Sequence, residues 1–87
     1  MKKYLIVTGG LGFIGSNFIR LLIDKKYSII NIDKISYSSN FYYLRDLSKN
    51  KNYKFIKCDI NNKNKLIKIF NKYKPLCIFN LAAETHV

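Results

Sequence analysis

The sequence contains no tryptophan, a single proline, two cysteines and only five acidic residues in 87. Cys58 and Cys77 lack a C-x-x-C spacing, so neither a disulfide framework nor a metal site is indicated, and we interpret both as small core residues in a reducing cytosol. No apolar run approaches the roughly 18 residues that span a bilayer, and the apolar stretch after Lys2 and Lys3 is too short for a secretory signal. These absences predict one small soluble domain in the cytoplasm.

Acidic residues are scarce and lysine is abundant, and this imbalance gives a formal net charge of +11. Arg20 and Arg45 are the only arginines, and the heavy use of Lys, Asn, Ile, Tyr and Phe is typical of an AT-rich coding sequence at permissive surface positions. Several lysines fall mostly on the polar side of one predicted helix: Lys63, Lys65, Lys68 and Lys72. We interpret them as a solvated face and expect no membrane or specific nucleic-acid partner, although this charge can attract nucleic acid nonspecifically.

Short apolar runs alternate along the chain with helical patterns, which predicts the order βαβ(α)βαβ. Strands are predicted over residues 4–8, 28–32, 53–58 and 76–81, and a short helix over 41–47. The apolar side of a helix over 13–26 consists of Ile14, Phe18, Leu21 and Leu22. A second helix, which Asn61 or Asn62 can cap and Pro75 ends, has apolar positions at Leu66, Ile69, Phe70 and Tyr73.

A glycine-rich turn lies directly between the first predicted strand and the first predicted helix. It reads as G-x-G-x-x-G through Gly10, Gly12 and Gly15, or as G-x-x-G-x-x-G starting from Gly9. Glycine lets the backbone turn tightly and approach phosphates without a Cβ, while N–H groups at the helix N-terminus face the anion. Asp33 ends the second strand, where a carboxylate can accept hydrogen bonds from an adenosine ribose. This combination indicates a dinucleotide-binding Rossmann fold.

The predicted fold class is α/β: the N-terminal half of a Rossmann-type doubly wound parallel sheet with strand order 3-2-1-4. Asp33 favours NAD, because its carboxylate would repel the 2′-phosphate of NADP. Lys34 is the opposing feature, since a lysine beside the ribose can accept that phosphate. We expect NAD as the cofactor and no metal.

Three segments carry a resemblance to a known family: TGGLGFIG at residues 8–15, DKISYSSN at 33–40 and NLAAETHV at 80–87. They resemble the N-terminal part of the extended short-chain dehydrogenases/reductases, and the first segment is common to many members of that family. The other two are similar to the members that dehydrate the nucleotide sugar dTDP-glucose, whereas related 4-epimerases usually diverge after the fourth strand. The resemblance covers essentially the whole chain, and it implies that residues 1–87 form a partial NAD-binding Rossmann domain with the substrate domain absent.

The resemblance implies a role for each matching position. The pyrophosphate would be lined by Gly9, Gly12, Phe13, Ile14 and Gly15, and the adenosine ribose by Asp33, Lys34, Ile35 and Ser36. The adenine would be flanked by Asp59 and Ile60, and the nicotinamide half by Leu81, Ala82, Ala83, Glu84 and Thr85, the last of which would also meet the nucleotide sugar. Alternatives stay open: residues 81–83 can simply finish a buried strand, Asp59 can be a turn acceptor, and His86 is expected to be structural.

The implied reaction transfers a hydride from C4 of the hexose to NAD, eliminates water across C5 and C6, and returns the hydride to C6. It requires an acid/base pair and a tyrosine activated by a lysine one helical turn away, in the pattern Y-x-x-x-K. Tyr53 and Lys57 match that pattern but lie in a predicted strand, so we reject them and assign no catalytic residue. In the family, the Y-x-x-x-K motif and the acid/base pair lie beyond the position of Val87. The sugar-binding domain and the dimerising helices lie there too, so a homodimer is expected only of a full-length member.

Other functions stay open from the sequence. The chain can belong to a related epimerase or decarboxylase of a nucleotide sugar, or be a stand-alone nucleotide-binding or regulatory module, a fragment, or the remnant of a degraded gene. The DNA downstream of codon 87 separates these cases, because a longer enzyme would continue into a helical Y-x-x-x-K motif.

We expect residues 1–87 by themselves to show no dehydratase turnover, because none of their tyrosines is paired with a lysine on a helix. By themselves they are also expected to be poorly soluble or partly unfolded, because the fourth strand would leave an open apolar edge formed by Leu76, Ile78, Phe79 and Leu81. The measurement is an assay of the purified chain with NAD and dTDP-glucose, in which the 4-keto-6-deoxy product is detected by alkaline absorbance or mass. Clear multiple turnovers would show that the catalytic residues have been misplaced.

Overall fold

The computed structural model describes residues 2–9, 13–34 and 41–81. Within these ranges the chain alternates between strands and helices, as the sequence predicts. The strands are β1 (Tyr4–Thr8), β2 (Ser28–Asp33), β3 (Tyr53–Lys57) and β4 (Cys77–Asn80). The helices are α1 (Phe13–Asp24), a short 3₁₀ helix (Phe41–Leu47) and α2 (Lys63–Tyr73). No helix in the described ranges is long and apolar enough to cross a membrane.

The four strands form one parallel sheet in the order β3-β2-β1-β4, which confirms the predicted order 3-2-1-4. β1 is central: Ile6 pairs with Ile30 of β2 on one side and with Ile78 of β4 on the other. Because all four strands run in the same direction, their carboxyl ends meet at one edge of the sheet. That edge is where open α/β sheets bind ligands.

Both faces of the sheet are covered, which explains the nearly continuous apolar runs of β1 and β2. On one face Leu5, Val7 and Ile29 pack with Ile19 and Leu22 of α1. On the other face Ile6, Ile30 and Ile32 pack with Ile69 of α2. The two central strands are therefore buried on both sides, and the sheet is held between two helical layers.

The buried face of α1 agrees with the predicted one at two of its four positions. Leu22 is buried and Phe18 packs against the same cluster, as predicted, but Ile14 and Leu21 are 78% and 51% exposed. Gly15, Ser16 and Ile19 are buried as well. Apolar residues occur on nearly every side of this helix, so their periodicity alone selects no face. The observed rotation places the small residues of the first turn on the buried side of the helix.

The second helix follows its prediction closely. The Asn62 side chain accepts a hydrogen bond from the backbone N–H of Lys65 at 3.2 Å, which identifies Asn62 rather than Asn61 as the cap. The inner face is made of the predicted residues: Ile69 is buried, and Leu66, Phe70 and Tyr73 pack against the same cluster. Its lysines are exposed, as predicted.

The two cysteines have different environments. Cys58 is buried, as predicted, but Cys77 is exposed, so its interpretation as a core residue is wrong. Cys77 begins β4, which pairs with β1 on one side and is the last strand of the described sheet. On this strand and beside it Leu76, Ile78 and Leu81 are also exposed, whereas Phe79 packs edge-to-face against Phe18 of α1.

The 3₁₀ helix is attached to α1 by both apolar and charged contacts. Leu44 and Leu47 are buried in the cluster that contains Ile19. At the surface, the guanidinium of Arg20 donates hydrogen bonds to both carboxylate oxygens of Asp46. This hydrogen bonding lowers the pKa of Asp46. The pair is exposed, so the apolar contacts carry most of the attachment.

The rotation of α1 can be tested with two isoleucines on the same helix. Ile19 is fully buried, so Ile19→Ala is expected to lower the free energy of unfolding by about 2–5 kcal/mol through weaker packing and a cavity. Ile14→Ala is the matched control and is expected to change it by less than about 0.5 kcal/mol. Urea unfolding followed by circular dichroism measures both. Equal losses would place Ile14 in the core and contradict the observed face.

Candidate functional site

A pocket of about 290 Å³ lies at the carboxyl edge of the sheet. Its walls come from the segments that follow three strands: β1, β2 and β3. The lining residues are Gly9, Ile32, Asp33, Lys34, Asp59, Ile60 and Asn61. Residues far apart in the sequence meet here because the parallel sheet brings its strand ends together.

Gly9 forms the wall of the pocket after β1. Its φ angle is +75°, a left-handed conformation in which a side chain would be strained, and its backbone N–H donates to the carbonyl of Ile32 at 3.0 Å. This bond extends the pairing of β1 and β2 by one residue before the chain turns away. Glycine adopts this conformation without the steric cost that a side chain adds, and no Cβ projects into the pocket.

Asp33 and Lys34 form the wall after β2. Asp33 is the last residue of the strand, is half-buried, and accepts a hydrogen bond at its backbone carbonyl from the N–H of Cys58 at 2.9 Å. That bond holds the ends of β2 and β3 together. A carboxylate in this place can accept hydrogen bonds from two neighbouring hydroxyl groups, while Lys34 adds a positive charge beside it.

The third wall is a tight turn after β3. The carboxylate of Asp59 accepts a hydrogen bond from the backbone N–H of Asn61 at 2.9 Å, and the carbonyl of Asp59 accepts one from Asn62 at 2.8 Å. The thiol of Cys58 donates to the same carbonyl at 3.3 Å. Ile60 lies on the outside of this turn and is 42% exposed. The turn thus places a carboxylate and an exposed apolar side chain next to each other.

Thr8 and Asn80 join the ends of the two strands beside the glycine turn. The hydroxyl of Thr8 donates a hydrogen bond to Oδ1 of Asn80 at 2.8 Å, and the N–H of Leu81 donates to the carbonyl of Thr8 at 2.8 Å. The chain leaving β4 is therefore fixed against the last residue of β1. This pair was not predicted, although both residues are polar and each stands near the end of an apolar strand.

The structure brings part of the predicted site together. Gly9, Asp33, Lys34, Asp59 and Ile60 share one pocket, whereas Gly15 is buried within α1, and Ile14 and Leu81 are exposed outside the pocket lining. Phe13 begins α1. The remaining predicted positions lie outside the described residues: Gly12, Ile35, Ser36, Ala82, Ala83, Glu84 and Thr85. Sequence reasoning missed Ile32 and Asn61 as lining residues; Asn61 was considered only as a helix cap.

Tyr53 and Lys57 occupy the two ends of β3, which agrees with rejecting them as a catalytic pair. In an extended strand, residues four apart are separated by about 13 Å. Burial raises the pKa of Tyr53, while a hydrogen bond of 3.1 Å from the amide of the buried Asn31 opposes that rise. A tyrosine that accepts a proton in catalysis needs a lowered pKa. The surroundings of Tyr53 therefore suit a structural residue and not a catalytic one.

Comparison with known proteins adds independent findings. The family model of the GDP-mannose 4,6 dehydratases matches residues 6–87. The dTDP-glucose 4,6-dehydratase of Neisseria gonorrhoeae is 41% identical over 87 residues, covering 99% of this chain and 25% of that protein. The chain thus spans about a quarter of the length of the curated relatives it matches.

Solved structures match the fold as well. The dTDP-glucose 4,6-dehydratase from Bacillus anthracis in complex with NAD has a TM-score of 0.86 and 37% identity, and the match covers 94% of this chain and 27% of that one. The UDP-glucose 4-epimerase from Thermotoga maritima has a TM-score of 0.78 and 34% identity, with 94% and 25% covered. The Rossmann-like architecture of the described strands is therefore shared with both enzyme types.

The hydrogen bond between Thr8 and Asn80 generates a testable prediction. Thr8→Val removes the donor at nearly constant shape and is expected to lower the free energy of unfolding by about 1 kcal/mol. Thr8→Ser keeps the hydroxyl and is the control for the hydrogen bond. Urea unfolding of the three proteins measures the difference. If the valine variant is as stable as the unchanged protein, the hydroxyl does not hold the two strand ends together.

Proposed function

The chain belongs to the GDP-mannose 4,6 dehydratase family, and we propose, from its similarity to dTDP-glucose 4,6-dehydratases, that it forms the NAD-binding part of an enzyme that dehydrates dTDP-glucose. The observation that carries the proposal is the pocket in which Gly9, Asp33 and Asp59 meet at the carboxyl edge of the sheet. A dinucleotide needs a close backbone approach for its phosphates and acceptors for its hydroxyl and amino groups. The pocket offers each of these.

Asp33 is proposed to hold the adenosine ribose. It ends β2 beside Gly9, and its carboxylate can accept from both ribose hydroxyls. Lys34, Ile35 and Ser36 continue this wall in the proposal. A 2′-phosphate at the same place would meet the negative charge of Asp33, so the site suits NAD better than NADP.

Asp59 and Ile60 are proposed to flank the adenine. One oxygen of Asp59 holds the turn through Asn61, which fixes the carboxyl group at the pocket wall. Adenine presents an exocyclic amino group, and the carboxylate oxygens are acceptors suited to it. The exposed side chain of Ile60 supplies an apolar surface for the ring.

The pyrophosphate is proposed to lie over the turn between β1 and α1. Gly9, Gly12, Phe13, Ile14 and Gly15 would surround it. Two features of the described residues support this: Gly9 has no Cβ in the pocket, and Gly15 is buried, so α1 begins close to the sheet. The first turn of α1 therefore directs backbone N–H groups toward an anion at this edge.

The nicotinamide half is proposed to run beside residues 81–85. Leu81 supports this path, because its backbone N–H is bonded to the carbonyl of Thr8 next to the glycine turn. Ala82, Ala83, Glu84 and Thr85 would continue along the cofactor, and Thr85 would also contact the nucleotide sugar. Small side chains at Ala82 and Ala83 leave room for a flat ring.

The role of this part of the enzyme is to bind and orient. NAD held here would supply a reversible hydride acceptor for the dehydration of the sugar. Asp33 and Asp59 would hold the adenosine, and the glycine turn would hold the phosphates, so that the nicotinamide faces the sugar. The proton-transferring tyrosine and the acid/base pair are proposed to come from outside residues 1–87.

The cytoplasmic location and the homodimer of a full-length member are part of the same proposal. Both cysteines are free thiols, which suits a reducing compartment. A nucleotide-sugar 4-epimerase is the second candidate, favoured by the similarity to the enzyme from Thermotoga maritima. The reaction product separates them: a dehydratase forms a 4-keto-6-deoxy sugar, whereas an epimerase inverts C4 and loses no water.

Asp33 provides the test of cofactor binding. In the intact protein, Asp33→Ala is expected to weaken NAD binding about tenfold or more, because a charged acceptor for the ribose hydroxyls is removed. It should also narrow the preference for NAD over NADP. Asp24→Ala is the matched control, since Asp24 is exposed at the other end of α1. Calorimetric titration with both cofactors measures the effect.

Two outcomes would contradict the assignment. If the unchanged protein binds NADP as tightly as NAD or more tightly, Lys34 binds the 2′-phosphate of NADP. Unchanged NAD affinity in a folded Asp33→Ala variant would place the ribose elsewhere.

A further inference from the structure

A concave basic surface lies at the amino edge of the sheet, opposite the pocket described above. Two neighbouring cavities of about 670 and 290 Å³ share Lys2, Tyr4 and Tyr73 in their linings. We call this surface the Tyr4–Tyr73 face. Six lysines line it: Lys2, Lys3, Lys51, Lys54, Lys72 and Lys74. They come from the segments before β1 and β3, from β3 itself and from the end of α2.

Among the residues that the structure describes, no aspartate or glutamate lines either cavity, so none of them balances the positive charge of this face. Within the described residues, Arg20 and Asp46 form an ion pair. None of the six lysines has its ammonium group within 4 Å of a described carboxylate. The ammonium group of Lys2 donates instead to the backbone carbonyl of Lys51 at 3.0 Å, which draws two lysine-bearing segments together. A ligand for this surface is therefore an anion with several charges.

Aromatic rings lie between these lysines. Tyr4 and Tyr73 are half-buried and contact each other edge-to-face, with ring centroids 5.0 Å apart and planes at 67°. The ammonium group of Lys72 lies 5.3 Å from the centroid of the Tyr73 ring. The edge-to-face packing fixes the orientation of both rings relative to the sheet. Fixed rings with cations around them form a site for flat aromatic groups that carry negative charge.

We propose that the Tyr4–Tyr73 face binds single-stranded nucleic acid without sequence preference. Such ligands combine a polyanionic backbone with bases that stack on aromatic side chains, which matches lysines surrounding two tyrosine rings. The two cavities are concave and can each receive an unstacked base, whereas a duplex keeps its bases inside the helix. A lipid surface is flat and would leave rings recessed in cavities without contact.

The charge contribution is tested by fluorescence anisotropy with a fluorescein-labelled oligothymidylate and the intact protein. The double variant Lys2→Gln/Lys74→Gln is expected to bind about tenfold more weakly and to reduce the slope of log affinity against log salt by roughly 0.7 for each phosphate that is no longer neutralised. Lys63→Gln/Lys68→Gln is the matched control. It removes the same charge from exposed positions of α2 that line neither cavity, and its affinity should stay within about twofold of the original.

The stacking contribution is tested at Tyr73. Tyr73→Leu is expected to weaken binding about fivefold or more, whereas Tyr73→Phe keeps the ring and should retain the affinity. Circular dichroism of each variant checks the fold, because Tyr73 also packs against the core. The lysine variants change only exposed side chains, so they decide the question even where Tyr73→Leu does not fold.

Four results would overturn the proposal. If both double lysine variants lose the same affinity, net charge alone attracts the oligonucleotide. Displacement of the oligonucleotide by excess NAD would place it in the pocket at the carboxyl edge. Equal binding of the matching duplex would exclude base stacking. Binding to anionic lipid vesicles through the same lysines, with none to the oligonucleotide, would identify a membrane surface.

Discussion

The hydrogen bonding of β1 on both of its sides is the constraint on which the candidate site depends. β1 pairs with β2 and with β4 in parallel, so Thr8, Ile32 and Asn80 reach the same level at the edge of the sheet. The N–H of Gly9 and the carbonyl of Thr8 then extend that pairing by one residue on each side. The pocket walls are thus positioned by backbone geometry, and the side chains only complete them.

Much of this arrangement could be predicted from the sequence, because strong local signals and the sheet topology agree. The unbroken apolar runs of β1 and β2 predicted strands buried on both faces, and the glycines after β1 predicted a turn without side chains. The place of Asp33 followed from its position at the end of β2. In these cases the local sequence is compatible with one structure only.

The features that were missed depend on contacts between distant residues. The rotation of α1 buries Gly15 and Ser16 and exposes Ile14 and Leu21, and the apolar residues around that helix do not predict which of its sides is buried. The exposure of Cys77 depends on its place at the start of an outer strand, which its residue type does not reveal. The bond between Thr8 and Asn80 joins residues 72 positions apart, and only the folded sheet makes them neighbours.

The buried amide of Asn31 has a consequence for how the sheet assembles. It lies in the middle of β2 among isoleucines, fully buried, and donates to the hydroxyl of Tyr53 on the neighbouring strand. If β3 slid by one residue, its side chains would exchange faces of the sheet and the Tyr53 hydroxyl would move away from the buried amide. Such a slip would cost a buried polar contact. Asn31 therefore favours one alignment of β2 and β3. In that alignment Asp33 lies level with the end of β3.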